Sequence, residues 1–144
     1  MAFLSERIGA LKSCAILIAM ALLLACSPSK VKRVAEDGVA RFHTQLDAEQ
    51  YHDIYSNASQ EFRNADSEVK MTEFFAAVHR KLGPMRSFNE QSFFINYGTS
   101  GTIVTLTYST QFANGNGMEK FIWRVADQPL LVGYRIDSPT LVTN

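Results

Sequence analysis

The 144-residue sequence has no excess charge to offer a polyanion, because Lys plus Arg number 14 and Asp plus Glu also number 14. A nucleic-acid binder normally carries a basic surplus or a basic stripe, so no nucleic-acid partner is expected. Cysteine is scarce as well, with only Cys14 and Cys26 present. Two cysteines exclude a disulfide-stapled small domain. Internal repeats, low-complexity tracts and long Pro- or Gly-rich linkers are all missing. Catalytic signatures are missing too: there is no Ser-His-Asp pattern, no phosphate loop and no acid pair placed for hydrolysis. His43, His52 and His79 stand nine and twenty-seven residues apart, so no two share the i, i+4 spacing of metal ligands on one helical turn. No metal, no cofactor and no enzymatic reaction are expected. What is present is 47% hydrophobic and 19% charged, too apolar for a disordered chain and long enough for one domain.

The apolar residues are unevenly spread. Arg7 and Lys12 make a basic start, and Cys14 through Ala25 then runs without a charge. About twelve apolar residues suit the core of an export signal, whereas a spanning helix needs about 20. Leu23, Leu24, Ala25 and Cys26 follow in that order, and then Ser27-Pro28-Ser29.

These residues resemble a bacterial lipoprotein signal: an aliphatic residue, a variable one, a small one, then Cys. Leu24 is bulkier than is usual at its position. The resemblance implies that the Cys26 thiol receives a diacylglycerol, that the chain is cut before Cys26, and that the new amino group is acylated with palmitate or a similar chain. It implies a cleaved signal peptide at 1–25, a lipidated tether at 26–30 and a domain at 31–144. Ser27 after the Cys resembles an outer-membrane sorting signal. The expected place is the cell envelope, with the domain in the periplasm and the outer membrane's inner leaflet favoured over the inner membrane. Processing would leave 119 residues with 12 basic and 13 acidic side chains and no free thiol. Cysteine catalysis and Cys-ligated zinc are then excluded for the mature form.

Within 31–144 the hydrophobic period changes once. Val31, Val34, Ala35, Val39, Phe42 and Leu46 recur at three- and four-residue spacing, one apolar stripe of a helix. Asp47, with Gln50 three residues on, is read as the cap of a second helix carrying Tyr51, Ile54, Tyr55 and Ala58. A third helix is expected over 67–82, with Met71, Phe74, Phe75, Val78 and Leu82 inward and Gly83-Pro84 as its stop. After Pro84 the period becomes two. Strands are expected over 87–97, 102–112, 118–125 and 130–137, separated by turn residues such as Asn114-Gly115-Asn116-Gly117. On the last strand Val132, Tyr134 and Ile136 are read as one face. Helices followed by strands imply an α+β domain, with N-terminal helices packed on a curled four-stranded antiparallel sheet.

That order, with Phe42, Leu46, Tyr51 and Tyr55 leading in and a closing hairpin from Tyr108 to Phe121 and on to Ile136, is similar to the nuclear transport factor 2-like (cystatin-like) superfamily. The resemblance implies a cone-like fold, and more narrowly it is to small bacterial lipoproteins of unknown function. Catalytic members of that superfamily set a general base, Asp or His, with Tyr donors inside the cone. No such set matches here position by position, and one fold hosts many roles.

The remaining candidates are modest. Tyr51, His52, Tyr55, Tyr108 and Trp123 are taken as a candidate pocket, because Tyr51 and Tyr55 share a helix face beside His52. His43 and His79 are read as surface or boundary residues. Arg124 and Arg135 are read as a basic spot on the exposed sheet face, paired across strands with Glu119, and Asp137 as solvent-facing. The expected function is a non-catalytic binding or interaction domain. A homodimer through the sheet face or an envelope protein partner would occupy it. The alternative is a small-ligand binder or enzyme that uses the cone interior.

Overall fold

A computed structural model describes residues 27–142. The export segment and Cys26 therefore lie outside the described residues. Val31–Asn144 forms one compact unit, and it is an α+β arrangement of N-terminal helices on an open, four-stranded antiparallel sheet that does not close into a barrel.

Helix α1 spans Pro28–Asp47. Its spacing of apolar residues puts Ala35, Val39, Phe42 and Leu46 on one buried stripe. Gly38 lies in that stripe, where a Cβ would come 3.2 Å from both Pro129 Cβ and Trp123 Cδ2. The missing side chain lets the helix approach the sheet closely. Asp47 ends this helix and does not cap the next one, since its carboxylate accepts from the Met85 amide at 3.2 Å. Helix α2 spans Tyr51–Ser56 and begins at Gln50 with no side-chain cap.

A short helix α3, Gln60–Ala65, is not legible in the apolar pattern, because Phe62 is its one buried side chain. Ser59 caps it by accepting from the Phe62 amide at 3.2 Å, and the Ser59 amide donates to Leu131 O at 2.9 Å. Helix α4, Glu68–Leu82, starts on Ser67, whose side chain accepts from the Lys70 amide. It ends at Gly83, where φ of 73° suits a residue without Cβ. The Asn114 amide then donates to Leu82 O at 2.8 Å, so the hairpin turn satisfies one of the last helical carbonyls.

The strands are β1 Met85–Gly98, β2 Gly101–Phe112, β3 Asn116–Val125 and β4 Pro129–Asp137, in the spatial order of the chain. A final short turn of helix, α5, spans Pro139–Val142. Strict alternation on β2 buries Val104, Leu106, Tyr108, Thr110 and Phe112 against the helices. One expected face is corrected on β4. A register shift between Ile122 and Trp123 pairs Trp123 with Leu131 and turns Leu131 inward together with Ile136. An extra residue in a strand reverses the facing of what precedes it, so Val132 is only half-buried.

Candidate functional site

The densest polar chemistry in the domain lies inside the core. Thr110 on β2 and Tyr134 on β4 flank Glu119 on β3. The register explains the meeting: Tyr108 pairs with Glu119 and Thr110 with Gly117, so Thr110 and Glu119 are diagonal neighbours. Tyr134 pairs with Phe121, which makes it diagonal to Glu119 from the other side. The Thr110 hydroxyl donates to Glu119 Oε2 at 2.5 Å, and the Tyr134 phenol donates to Oε1 at 2.7 Å. His43 arrives from α1, four residues after Val39 and three before Leu46, and therefore on the buried stripe. Its Nε2 stands 3.1 Å from Glu119 Oε2, but off the line that a well-formed N–H···O bond needs. Its Nδ1 has no hydrogen-bond partner.

Aromatic rings wall this cluster. The imidazole stacks on Phe88 at 5.6 Å between centroids and meets Phe121 edge-on at 5.8 Å. Tyr134 lies 4.6 Å from Phe42. Glu119 and Thr110 are 0% exposed and His43 1%, so no solvent reaches the carboxyl. Burial, the adjacent Glu119 and its hydrogen bond push the Tyr134 phenol well above its ordinary range. On the neighbouring row, burial lifts Tyr108 to about 12, helped by Glu90 and Glu36.

Imidazole, carboxyl and phenol together could move protons at an open site. Here the hydroxyl and phenol bonds to Glu119 tie β2, β3 and β4 together, and the buried imidazole packs α1 against them. This overturns two readings: His43 is neither surface nor boundary, and Glu119 does not pair with Arg124 or Arg135. Arg124 instead reaches Glu61 at 2.7 Å, and Arg135 binds Asp137 at 3.0 Å on the exposed side, with Asp137 facing solvent. The clue was phase. Glu119 is in step with Phe121 and Trp123, Thr110 with Tyr108 and Phe112, and Tyr134 with Ile136.

The candidate pocket residues are scattered. His52 is exposed and bonds Glu68 at 2.5 Å, which raises its pKa. The Tyr55 hydroxyl shares its one proton between the backbone carbonyls of Arg63 and Asp66, both at 3.0 Å, and staples α2 to the C-terminal end of α3. Tyr108 is buried against Phe88. Trp123 lines a cavity of about 20 Å³ with Gly38, Gln45 and Leu131, room for a single water-sized guest. Tyr51 borders an opening, a cleft of about 420 Å³ shared with Glu49, Ala76, His79 and Arg80.

A family described as "Protein of unknown function (DUF4019)" matches residues 39–134, about two thirds of the chain. The chain belongs to the DUF4019 family. The matched stretch runs from the buried stripe of α1 to Tyr134 and takes in all four polar residues of the core cluster. No curated protein matches the chain. Among the described residues no group of three or more His, Cys, Asp or Glu could hold a metal ion. No described helix is long and apolar enough to cross a membrane.

Proposed function

We propose that this DUF4019 chain is a lipid-anchored protein of the bacterial envelope, whose domain acts by contact and not by catalysis. The observation that carries the non-catalytic half is the inaccessible carboxyl: Glu119, His43 and Thr110 are buried among aromatic rings, and the half-buried Tyr134 turns its hydroxyl onto Glu119. A reacting atom must come within about 3 Å of a general base, and here packed side chains occupy that space. The anchoring half rests on the sequence order of basic start, short apolar run and Leu23-Leu24-Ala25-Cys26. In this reading Cys26 carries the acyl chains, the domain sits in the periplasm near the outer membrane's inner leaflet, and a nuclear transport factor 2-like fold supplies the scaffold. A second copy through the sheet face, or another envelope protein, is the contact partner.

Labelled palmitate should enter the wild-type chain, and Cys26→Ser should abolish labelling and leave the chain uncut. Equal labelling of both would overturn the anchor. The cleft by Tyr51, His79 and Arg80 favours a second reading, a small-ligand binder. Its volume falls within the ordinary range of ligand sites, and its Arg80 would suit an anion. Titration with small organic anions, followed by chemical-shift changes at Ala76 and His79, separates the two readings.

A further inference from the structure

We infer that the β1 edge, with Phe93, Phe94 and Tyr97, is a lipid-facing surface that lays the anchored domain against the membrane. This rests on the acylation of Cys26 proposed above. Strand β1 lies at the edge of the sheet. Phe93 is 53% exposed, Phe94 66% and Tyr97 56%, a rare concentration of uncovered rings. Register puts Phe93 opposite Leu106 on the helix side, and Phe94 opposite Thr105 on the other side. The rings therefore project from both faces of one edge.

That geometry selects the occupant. A second copy adding its own strand to β1 would pair the free backbone edge and set ring beside ring across the new strand pair, but it would leave the outer faces of those rings in water on both sides of the sheet. A flat protein surface would cover one side only. A fluid headgroup layer closes around both. Charge points the same way, because no charged side chain stands between Glu90 and Glu119. The hairpin's own residues bring no ion to the interface; the cations that flank it are already paired, Arg124 beside Gly101 with Glu61 and Lys32 beside Phe93 with Glu90. Strand β1 itself contains no lysine of the kind with which exposed edges are commonly protected from other strands. Phe and Tyr rings suit the headgroup level, where tyrosine keeps its hydroxyl wet. The unpaired backbone edge limits the depth, since bare N–H and C=O groups are costly in hydrocarbon.

The anchor ends where this surface begins. Lys32 Nζ lies 3.0 Å from Glu90 Oε2 and 4.8 Å above the Phe93 ring. Cys26 lies two residues before α1 begins at Pro28, and Lys32 lies one turn into that helix, about 6 Å further along its axis. Acyl chains on Cys26 thus hold the Phe93 end of the domain within a short distance of the lipid.

The test uses the full lipidated chain in vesicles of phosphatidylethanolamine and phosphatidylglycerol doped with nitroxide lipid. With Cys14 removed and Cys26 acylated, Tyr97→Cys supplies a single thiol for a fluorophore. Asn114→Cys labels the β2–β3 turn at the other end of β2. Quenching should be several-fold stronger at position 97 than at 114. Phe94→Cys should behave like Tyr97→Cys, which also covers failure of either variant to fold. Weak and equal quenching at 94, 97 and 114, with acyl mass present on Cys26, would overturn the lipid-facing surface and leave the anchor standing. Absence of acyl mass would overturn both. Cross-linking between copies at position 97 without quenching would assign the edge to a second copy instead.

Discussion

Glu119 keeps its carboxyl in the core because Thr110 and Tyr134 donate to it and His43 lies alongside. Removing one member of such a set leaves the others buried without partners, which costs more than the set contributes. Glu119→Ala should therefore lower stability by about 3–5 kcal/mol in urea unfolding, and Glu119→Gln, which keeps an acceptor and the volume, by clearly less. Tyr134 adds a pH dependence. Its folded pKa lies above the ordinary value of about 10, so the folded chain keeps a proton that the unfolded chain releases. The associated stability is fully present below about pH 10 and is lost as pH rises further. Tyr134→Phe should flatten that alkaline decline, and an unchanged slope in alkaline urea titrations would remove Tyr134 as its source. Tyr108→Phe should delete a tyrosinate absorbance step near pH 12. The cluster is only partly legible in the residues. Alternation places Glu119 inward, but an acidic side chain in a strand is ordinarily assigned to water. Its inward donors become visible only when three strands are aligned.

At the scale of elements, periodicity carries most of the information. The apolar stripe of α1 and the alternation of β2 describe their buried faces directly. Ends and irregularities do not follow from it. Asp47 has the spacing of a cap for α2, yet it bonds the start of β1, a contact with a residue 38 positions away. Helix α3 leaves no periodic trace because six residues hold too few apolar positions to show one. The β4 bulge reverses the facing of the residues before it, so that Pro129 and Leu131 turn inward. Two consequences are testable. Ser67→Ala removes the side chain that accepts from Lys70 N and should cost about 1 kcal/mol, read from the denaturation midpoint. Gly38→Val should cost about 1–3 kcal/mol, because a side chain there meets Trp123 and Pro129 at once.

For the whole molecule, the scarcities of the sequence acquire places. Neutral net charge hides an uneven distribution: the hairpin from Gln91 to Met118 carries no charge at all, and the surface proposed to face lipid belongs to it. Trp123, the single tryptophan, packs under α1 and is 3% exposed. Trp123→Ala should cost about 3–5 kcal/mol, and an unshifted melting midpoint would contradict that packing. The helices-then-strands order, the inward stripes and the export-like start are local properties, written in runs of neighbouring residues, and so they can be read one segment at a time. The His43–Glu119 contact, the stapling of Tyr55, the partner of Arg124 and the exposure of both sides of β1 join residues far apart in the chain. Those depend on which strands align and at what register, and only packing settles that, because a buried polar group finds its partner wherever the fold delivers one.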